Sequence, residues 1–387
     1  MAEQVEYVVV GLGAFGSAAT YQLARRGADV VGFEQFDLGH VRGASHDTSR
    51  ILRHSYHTPE YVGLTVHAYD DWADLERDSE ESLVTVVGGL DLFPSDSAVT
   101  VTDHTESLSA HDIPYEVLDS VAVRQRFPQF RISPGVTGLY QQRSAIVPAA
   151  RGTATMQRMA RAHGGRLVER CAVTGVRDRG HAGLEVEAGG RTYFCRRLVV
   201  CADAWTNDVL TGLDVRLPLK TTQEQFSYFE PADPPAFSQG RMPLWIWQGD
   251  PTFYGFPCYG EPTVKAAQDC GGPQVTGDTR SFEPDAGRQA LLADFMSRTL
   301  PGAGSPAWSK TCLYTLTPER DFILGLAPEH PAVCVAVGAG HGFKFTPTIG
   351  RLLADLAMTG ECPVDIDSFR LDRPAFVDPP PIEQWAI

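Results

Sequence analysis

The stretch from Val8 to Glu34 limits the fold more than any other part of this chain. Val8-Val9-Val10 is a short β-branched run, and Gly11-Leu12-Gly13-Ala14-Phe15-Gly16 follows it directly. Phe15, Ala19 and Leu23 then share one face at helical spacing to about Arg26, with Gly27 as a stop. Val30-Val31-Gly32-Phe33 is the next strand, and it ends on Glu34. Each piece has a physical task in holding a dinucleotide. Gly11 permits a sharp turn, Gly13 lets backbone approach a pyrophosphate, and Gly16 lets helix lie close on strand. The helix N-terminus aims unpaired N–H groups and a partial positive charge at the phosphates. Glu34, about 20 residues after the first glycine, can accept hydrogen bonds from a ribose. A glycine-rich turn in another α/β unit is the competing reading; strand, helix and acid at these distances favour the nucleotide.

At 387 residues the chain has room for two domains, and 43% hydrophobic with 21% charged residues is an ordinary globular balance. A net charge of −15 argues against nucleic acid or an anionic membrane surface as a partner. The early first strand leaves no room for a signal peptide, and no apolar run approaches a membrane span. Eight cysteines lie scattered without a C-x-x-C pair, so reduced thiols, no zinc site and a cytoplasmic location are expected.

After Glu34 a polar loop, Gly39 to Ser49, leads into Arg50-Ile51-Leu52-Arg53-His54. Arg50, Arg53, His46 and His54 concentrate positive charge; by themselves they also read as a solvated basic turn. A helix is expected from Pro59, strands around Gly88-Gly89, and an exposed helix in the charge-rich segment 96–126. Ala149 to Ala162 reads as a helix, stopped by Gly164-Gly165, before a strand, a β-ribbon including Val173 and a buried strand to Cys201. The chain thus leaves the first domain and returns to it. Residues 217–311 are β-rich, with a helix from Pro284 through Leu300. Val333 to Val337 then meets Gly340-His341-Gly342-Phe343-Lys344-Phe345, and a helix follows from about Pro347 to Met358. A second glycine turn of this kind suits the far end of a cofactor.

Four segments, in this order and spacing, are similar to the monomeric sarcosine oxidases. They are Gly11-x-Gly13-x-x-Gly16 with Glu34, Ser45 to Arg53, Cys312-Leu313-Tyr314-Thr315, and Gly340 to Phe345. The wider group includes N-methyltryptophan oxidase, pipecolate oxidase and fructosyl amino acid oxidases, and the resemblance spans essentially the whole chain. It implies an α/β fold: a Rossmann-type, glutathione-reductase-like FAD-binding domain from 1–85, 145–218 and 325–387. A β-sheet-rich substrate domain would come from 86–144 and 219–324. The implied activity is FAD-dependent oxidation of the C–N bond of a secondary amino acid, with O2 as acceptor and imine and H2O2 as products. A monomer is implied.

The resemblance also implies roles. Cys312 aligns with the cysteine that links the flavin covalently, although a lone cysteine is ordinarily an inert buried thiol. Arg53 and Lys344 align with the pair holding the substrate carboxylate, a guanidinium fork and a point charge. Lys265 aligns with the lysine that assists O2, whose reduction begins by developing negative charge. Arg50 and His46 align with residues flanking the flavin, where positive charge favours the anionic reduced ring. Tyr254 and Tyr314 would line the substrate pocket. Ser45, Ser49, Val173, Gly340 and Gly342 complete the expected cofactor contacts, with Arg50 and Lys344.

Three departures bear on substrate. Asp269 stands where sarcosine oxidases carry a pocket histidine, which suggests a larger or more basic substrate, unless Asp269 merely pairs with a neighbour. Trp245 replaces a methionine and would reshape the cavity. Asp47-Thr48-Ser49 replaces the usual Gly-Asp-Thr. Two other enzyme readings remain: a dehydrogenase of the same fold serving an electron carrier, and a flavin monooxygenase. A non-catalytic nucleotide-binding module would not need Cys312, Lys265, Arg53 and Lys344 together.

Overall fold

The computed structural model describes residues 2–381. The run Val8-Val9-Val10 ends a strand, Glu3–Val10, and is buried as a central parallel strand requires. That strand pairs in parallel with Val30–Phe33 on one side and Arg191–Val200 on the other. Arg166–Val168 extends the sheet beyond Val30–Phe33, and the second half of Arg191–Val200 pairs in parallel with His330–Val337. Ile323–Ala327 runs antiparallel on that edge, and the ribbon Val173–Asp178 with Leu184–Ala188 joins the first half of Arg191–Val200. Alternation splits the buried side chains: Val9 and Tyr7 enter one apolar core, Val8 and Val10 the other.

Three helices, Ala14–Arg25, Ala149–Ala162 and Thr346–Thr359, share the core that takes up Val9. The first packs against the other two. Gly350 permits the closest approach, since a Cβ there would lie 2.4 Å from the Ala18 Cβ. These bounds match the sequence reading within about two residues, as helices marked by strong periodicity should.

The second sheet has eight strands. In order they are Ser305–Leu316, Lys220–Glu230, Val264–Gln268, Phe253–Phe256, Leu244–Trp247, Gly89–Phe93, Thr137–Gln141 and Glu116–Leu118. Among the described residues of this sheet only Leu244–Trp247 with Gly89–Phe93 is parallel. Helix Ala286–Thr299 backs this sheet, burying Leu292, Phe295 and Met296. A small third sheet joins Arg50–Leu52, Ala145–Val147 and Thr85–Val86. The segment 96–126 forms two short helices, Val101–Ser109 and Ser120–Arg126, where one was expected. The first buries His104 and Leu108, so it is anchored and not simply exposed.

All eight cysteines are free thiols. Among the described residues no group of side chains could hold a metal ion, and no helix is long and apolar enough to cross a membrane.

Candidate active site

A cavity of about 390 Å³ runs from the first glycine turn to the second sheet. At one end lie Gly11, Gly13, Glu34, Ser45 and Val173; at the other, Arg53, Tyr254, Tyr314 and Lys344. The glycines do separate jobs. Gly11 has φ +86°, and a Cβ would sit 2.5 Å from the Cys201 carbonyl oxygen. A Cβ on Gly16 would lie 1.8 Å from the Gly11 carbonyl oxygen, so helix and turn could not meet. A Cβ on Gly13 would meet only Ser45 Oγ, at 3.2 Å, and that hydroxyl accepts the Ala14 N–H at 2.9 Å. Glu34 is buried, and its carboxylate accepts the N–H groups of Leu12 (2.9 Å) and Phe36 (3.0 Å). Burial pushes this carboxyl up, but His40 and the two N–H groups outweigh it and hold it below its usual range. Glu34 therefore fixes the turn as well as facing the cleft. Gly340, at φ +82°, and Gly342 also line the cavity, and a Cβ on Gly342 would lie 2.7 Å from the Phe15 ring.

Arg50 lines the cavity, while His46 and Lys265 lie buried behind the lining. Arg50 donates to the carbonyls of Ser49, Ala44 and His46 at 2.8–3.0 Å, so its guanidinium is locked in place. His46 is buried, and burial followed by Arg50 pushes its imidazole down to about 3. It is thus held in its neutral form, and Arg50 is the fixed cation of the two. Lys265 is buried from the Val264–Gln268 strand and donates to the Asp47 carboxylate and to the Ser49 carbonyl at 3.2 Å. Its ammonium also lies 4.3 Å from the Phe226 ring centre. Cys312 is buried among Phe226, Tyr228, Ala267, Tyr254 and Tyr314. It does not itself line the cavity, but Leu313, Tyr314 and Thr315 do.

At the far end Arg53 pairs with Asp91 at 2.8 Å and lies over the Tyr56 ring. Lys344 is buried and donates to the Tyr56 hydroxyl at 2.7 Å and the His341 carbonyl at 2.9 Å. Burial, then Arg53, pushes this amine well below its usual range. Tyr254 and Tyr314 bring their hydroxyls within 3.5 Å of each other. Asp269 lines the cavity and is paired with Arg320 at 3.0 Å, the neighbouring partner that the sequence reading held open. The reading of Trp245 also changes. It is fully buried and stacks on Phe295 in the core behind the sheet, while its neighbour Ile246 lines the cavity. Strand alternation sends the two to opposite faces. Tyr56, Asp91 and Arg320 complete the site without having been marked in the sequence; only Tyr56, close to Arg53, lay near a flagged residue.

Residues 6–356 match the family described as FAD dependent oxidoreductase. The chain belongs to that family. Within it, the chain is 34% identical to a monomeric sarcosine oxidase of Streptomyces avermitilis, over 93% of this chain and 95% of that one. It is 29% identical to an N-methyl-L-tryptophan oxidase of Salmonella arizonae, over 95% and 98% of the two chains. The solved structure of NikD, an amino acid oxidase of nikkomycin biosynthesis in its open form, superposes with a TM-score of 0.85 at 26% identity, covering 95% and 97%. This FAD-dependent oxidoreductase therefore shares its fold with NikD, and its glycine cradle, buried Glu34 and long cleft fit the dinucleotide.

Proposed function

We propose that this enzyme oxidises the C–N bond of a secondary amino acid (N-methyl, N-alkyl or cyclic), reduces O2, and yields an imine and H2O2. The observation that carries this reading is the convergence of Arg53 and Lys344 on one cavity, beside Tyr254 and Tyr314 and open to the cofactor cleft. A fork and a point charge suit a carboxylate. Lys344 is the better anchor in one respect: among the described residues it pairs with no carboxylate, whereas Arg53 has Asp91. A bound carboxylate would restore the proton affinity that burial removes from Lys344.

In this reading Gly11, Gly13, Gly16, Glu34 and Ser45 hold the adenosine and pyrophosphate end of FAD. Val173, Ser49, Arg50, Gly340, Gly342 and Lys344 lie along the rest. FAD, when bound, supplies the two-electron acceptor. Tyr254 and Tyr314 shape the pocket, Asp269 with Arg320 forms its polar wall, and Lys265 assists O2. Covalent attachment would run through Cys312 Sγ. Burial pushes that thiol up to about 11, with Arg50 the leading opposing charge. The sheet around Glu3–Val10 would be the FAD-binding lobe (1–85, 145–218, 325–387). The other large sheet would be the substrate lobe (86–144, 219–324), in a cytoplasmic monomer.

The test is a panel of secondary amino acids assayed for O2 uptake and peroxide, with flavin absorbance recorded before and after acid precipitation. Peroxide formed one-for-one with substrate, and colour retained in the precipitate, are the expected results. Electrons passing only to an added carrier, or consumption of a nicotinamide cofactor, would replace the oxidase with a dehydrogenase or a monooxygenase. Colour in the supernatant would remove the Cys312 link alone.

A further inference from the structure

Asp47 is an unusual residue to find where it lies. Its φ of +79° is in the left-handed region that favours glycine, and its side chain is wholly buried. Burying a carboxylate this way is unfavourable without partners. Its partners are Lys265, the Tyr228 hydroxyl at 2.8 Å, and Lys310 at 3.2 Å. Lys310 is half exposed, so Asp47 stands between a surface ammonium and a buried one. Lys265 has no other carboxylate partner among the described residues.

The groups facing Lys265 pull in opposite directions. Burial drives its amine toward the neutral form, and the neighbouring Arg50 guanidinium adds to that. Asp47 opposes both, and the balance leaves the amine lowered to about 8. The other neighbours carry no charge near neutral pH. Burial holds His46 in its neutral form and keeps the Tyr228 hydroxyl protonated, and Cys312 is uncharged either as a buried thiol or as the flavin thioether. Lys310 lies on the far side of Asp47.

We infer that Asp47 is a positioning residue for Lys265: it holds the buried amine charged and aimed, and so sets the pH range over which O2 is reduced. The inference rests on the proposed role of Lys265 beside the cofactor. O2 takes two electrons from the reduced cofactor and two protons to become H2O2, and an ammonium stabilises the negative charge that develops first. A neutral amine would do this poorly.

Asp47→Asn tests it, because asparagine tolerates a left-handed backbone and keeps the shape while losing the charge. Two readouts are needed on the holoenzyme: stopped-flow reoxidation by O2 across pH, and pH-dependent acetylation of Lys265 followed by mass spectrometry. The expected result is an acid shift of both midpoints by at least about one unit, with reoxidation at least roughly fivefold slower at pH 8. Flavin reduction by substrate should be unchanged. Unshifted midpoints, or faster reoxidation at pH 8, would overturn the inference. Should the asparagine variant not fold, Asp47→Gly takes its place, since glycine accepts this backbone without strain. Lys265→Met separates the layers. If it reoxidises at the wild-type rate, the role of Lys265 itself fails. If it slows reoxidation while the Asp47→Asn midpoints stay put, only the inference about Asp47 fails.

Discussion

Lys344 and Arg53 face the same cavity from different electrostatic positions. Asp91 already neutralises Arg53, whereas Lys344 rests on a hydroxyl and a carbonyl. Lys344→Met should therefore raise KM for the amino acid by about 100-fold, the loss of one buried charge-assisted bond of roughly 2–3 kcal/mol. Steady-state kinetics would check this against the corresponding amino acid amide, whose KM should move little. An equal loss for both would place Lys344 outside carboxylate binding. The adjacent pair Trp245 and Ile246 makes a second contrast. Ile246→Ala should alter the ranking of amines with a small change in Tm. Trp245→Ala should leave the ranking intact and destabilise by about 3–5 kcal/mol, as an emptied core position does. Substrate panels and denaturant unfolding on both variants decide. Lys265, Arg53 and Lys344 stand out in the sequence only through the resemblance of the segments that carry them; on local pattern alone Arg53 belongs to a stretch that also reads as a solvated basic turn. Their partners do not stand out: Asp91 is 38 residues from Arg53, and Arg320 is 51 from Asp269. Trp245 was misplaced for a simpler reason. A strand assigned correctly still leaves its parity open, and parity decides which side chain meets the cavity.

Elements were easier to read than contacts. The helices Ala14–Arg25 and Ala149–Ala162 carry their own periodicity and stop signals, so local chemistry sufficed. The one parallel pairing of the second sheet had no such signature, because Gly89–Phe93 meets a strand far along the chain. The glycine turn allows a controlled comparison. Gly16→Ala puts a methyl group into the Gly11 carbonyl oxygen, so the helix must lift from the strand. Flavin content per protein, read from absorbance, should collapse. Gly27→Ala meets no neighbouring atom but keeps φ at +81°, and should destabilise by about 1 kcal/mol with flavin content unchanged. Full flavin in the Gly16 variant would contradict the role given to that turn.

The whole molecule should be sensitive to mild acid. Burial is the leading cause that pushes His46 down to about 3 and both His54 and His104 down to about 4. The folded state disfavours the charged imidazole, while the unfolded chain accepts a proton near its ordinary value of about 6.5. Their contribution is therefore complete above roughly pH 6.5 and is lost as pH falls toward the folded values. Denaturant midpoints should drop steadily between pH 6.5 and 4. A flat profile there would show that these histidines take up protons without unfolding. The order of the strands has a consequence of another kind. Glu3–Val10 and His330–Val337 flank the same strand, Arg191–Val200, so a strand made early is completed by one made more than 300 residues later. Synthesis of the intervening chain takes roughly 20–60 s at ordinary elongation rates. Through that interval the nascent cleft lacks the wall carrying Gly340 and Gly342. Flavin capture should therefore wait until this late-made wall has folded onto the early one.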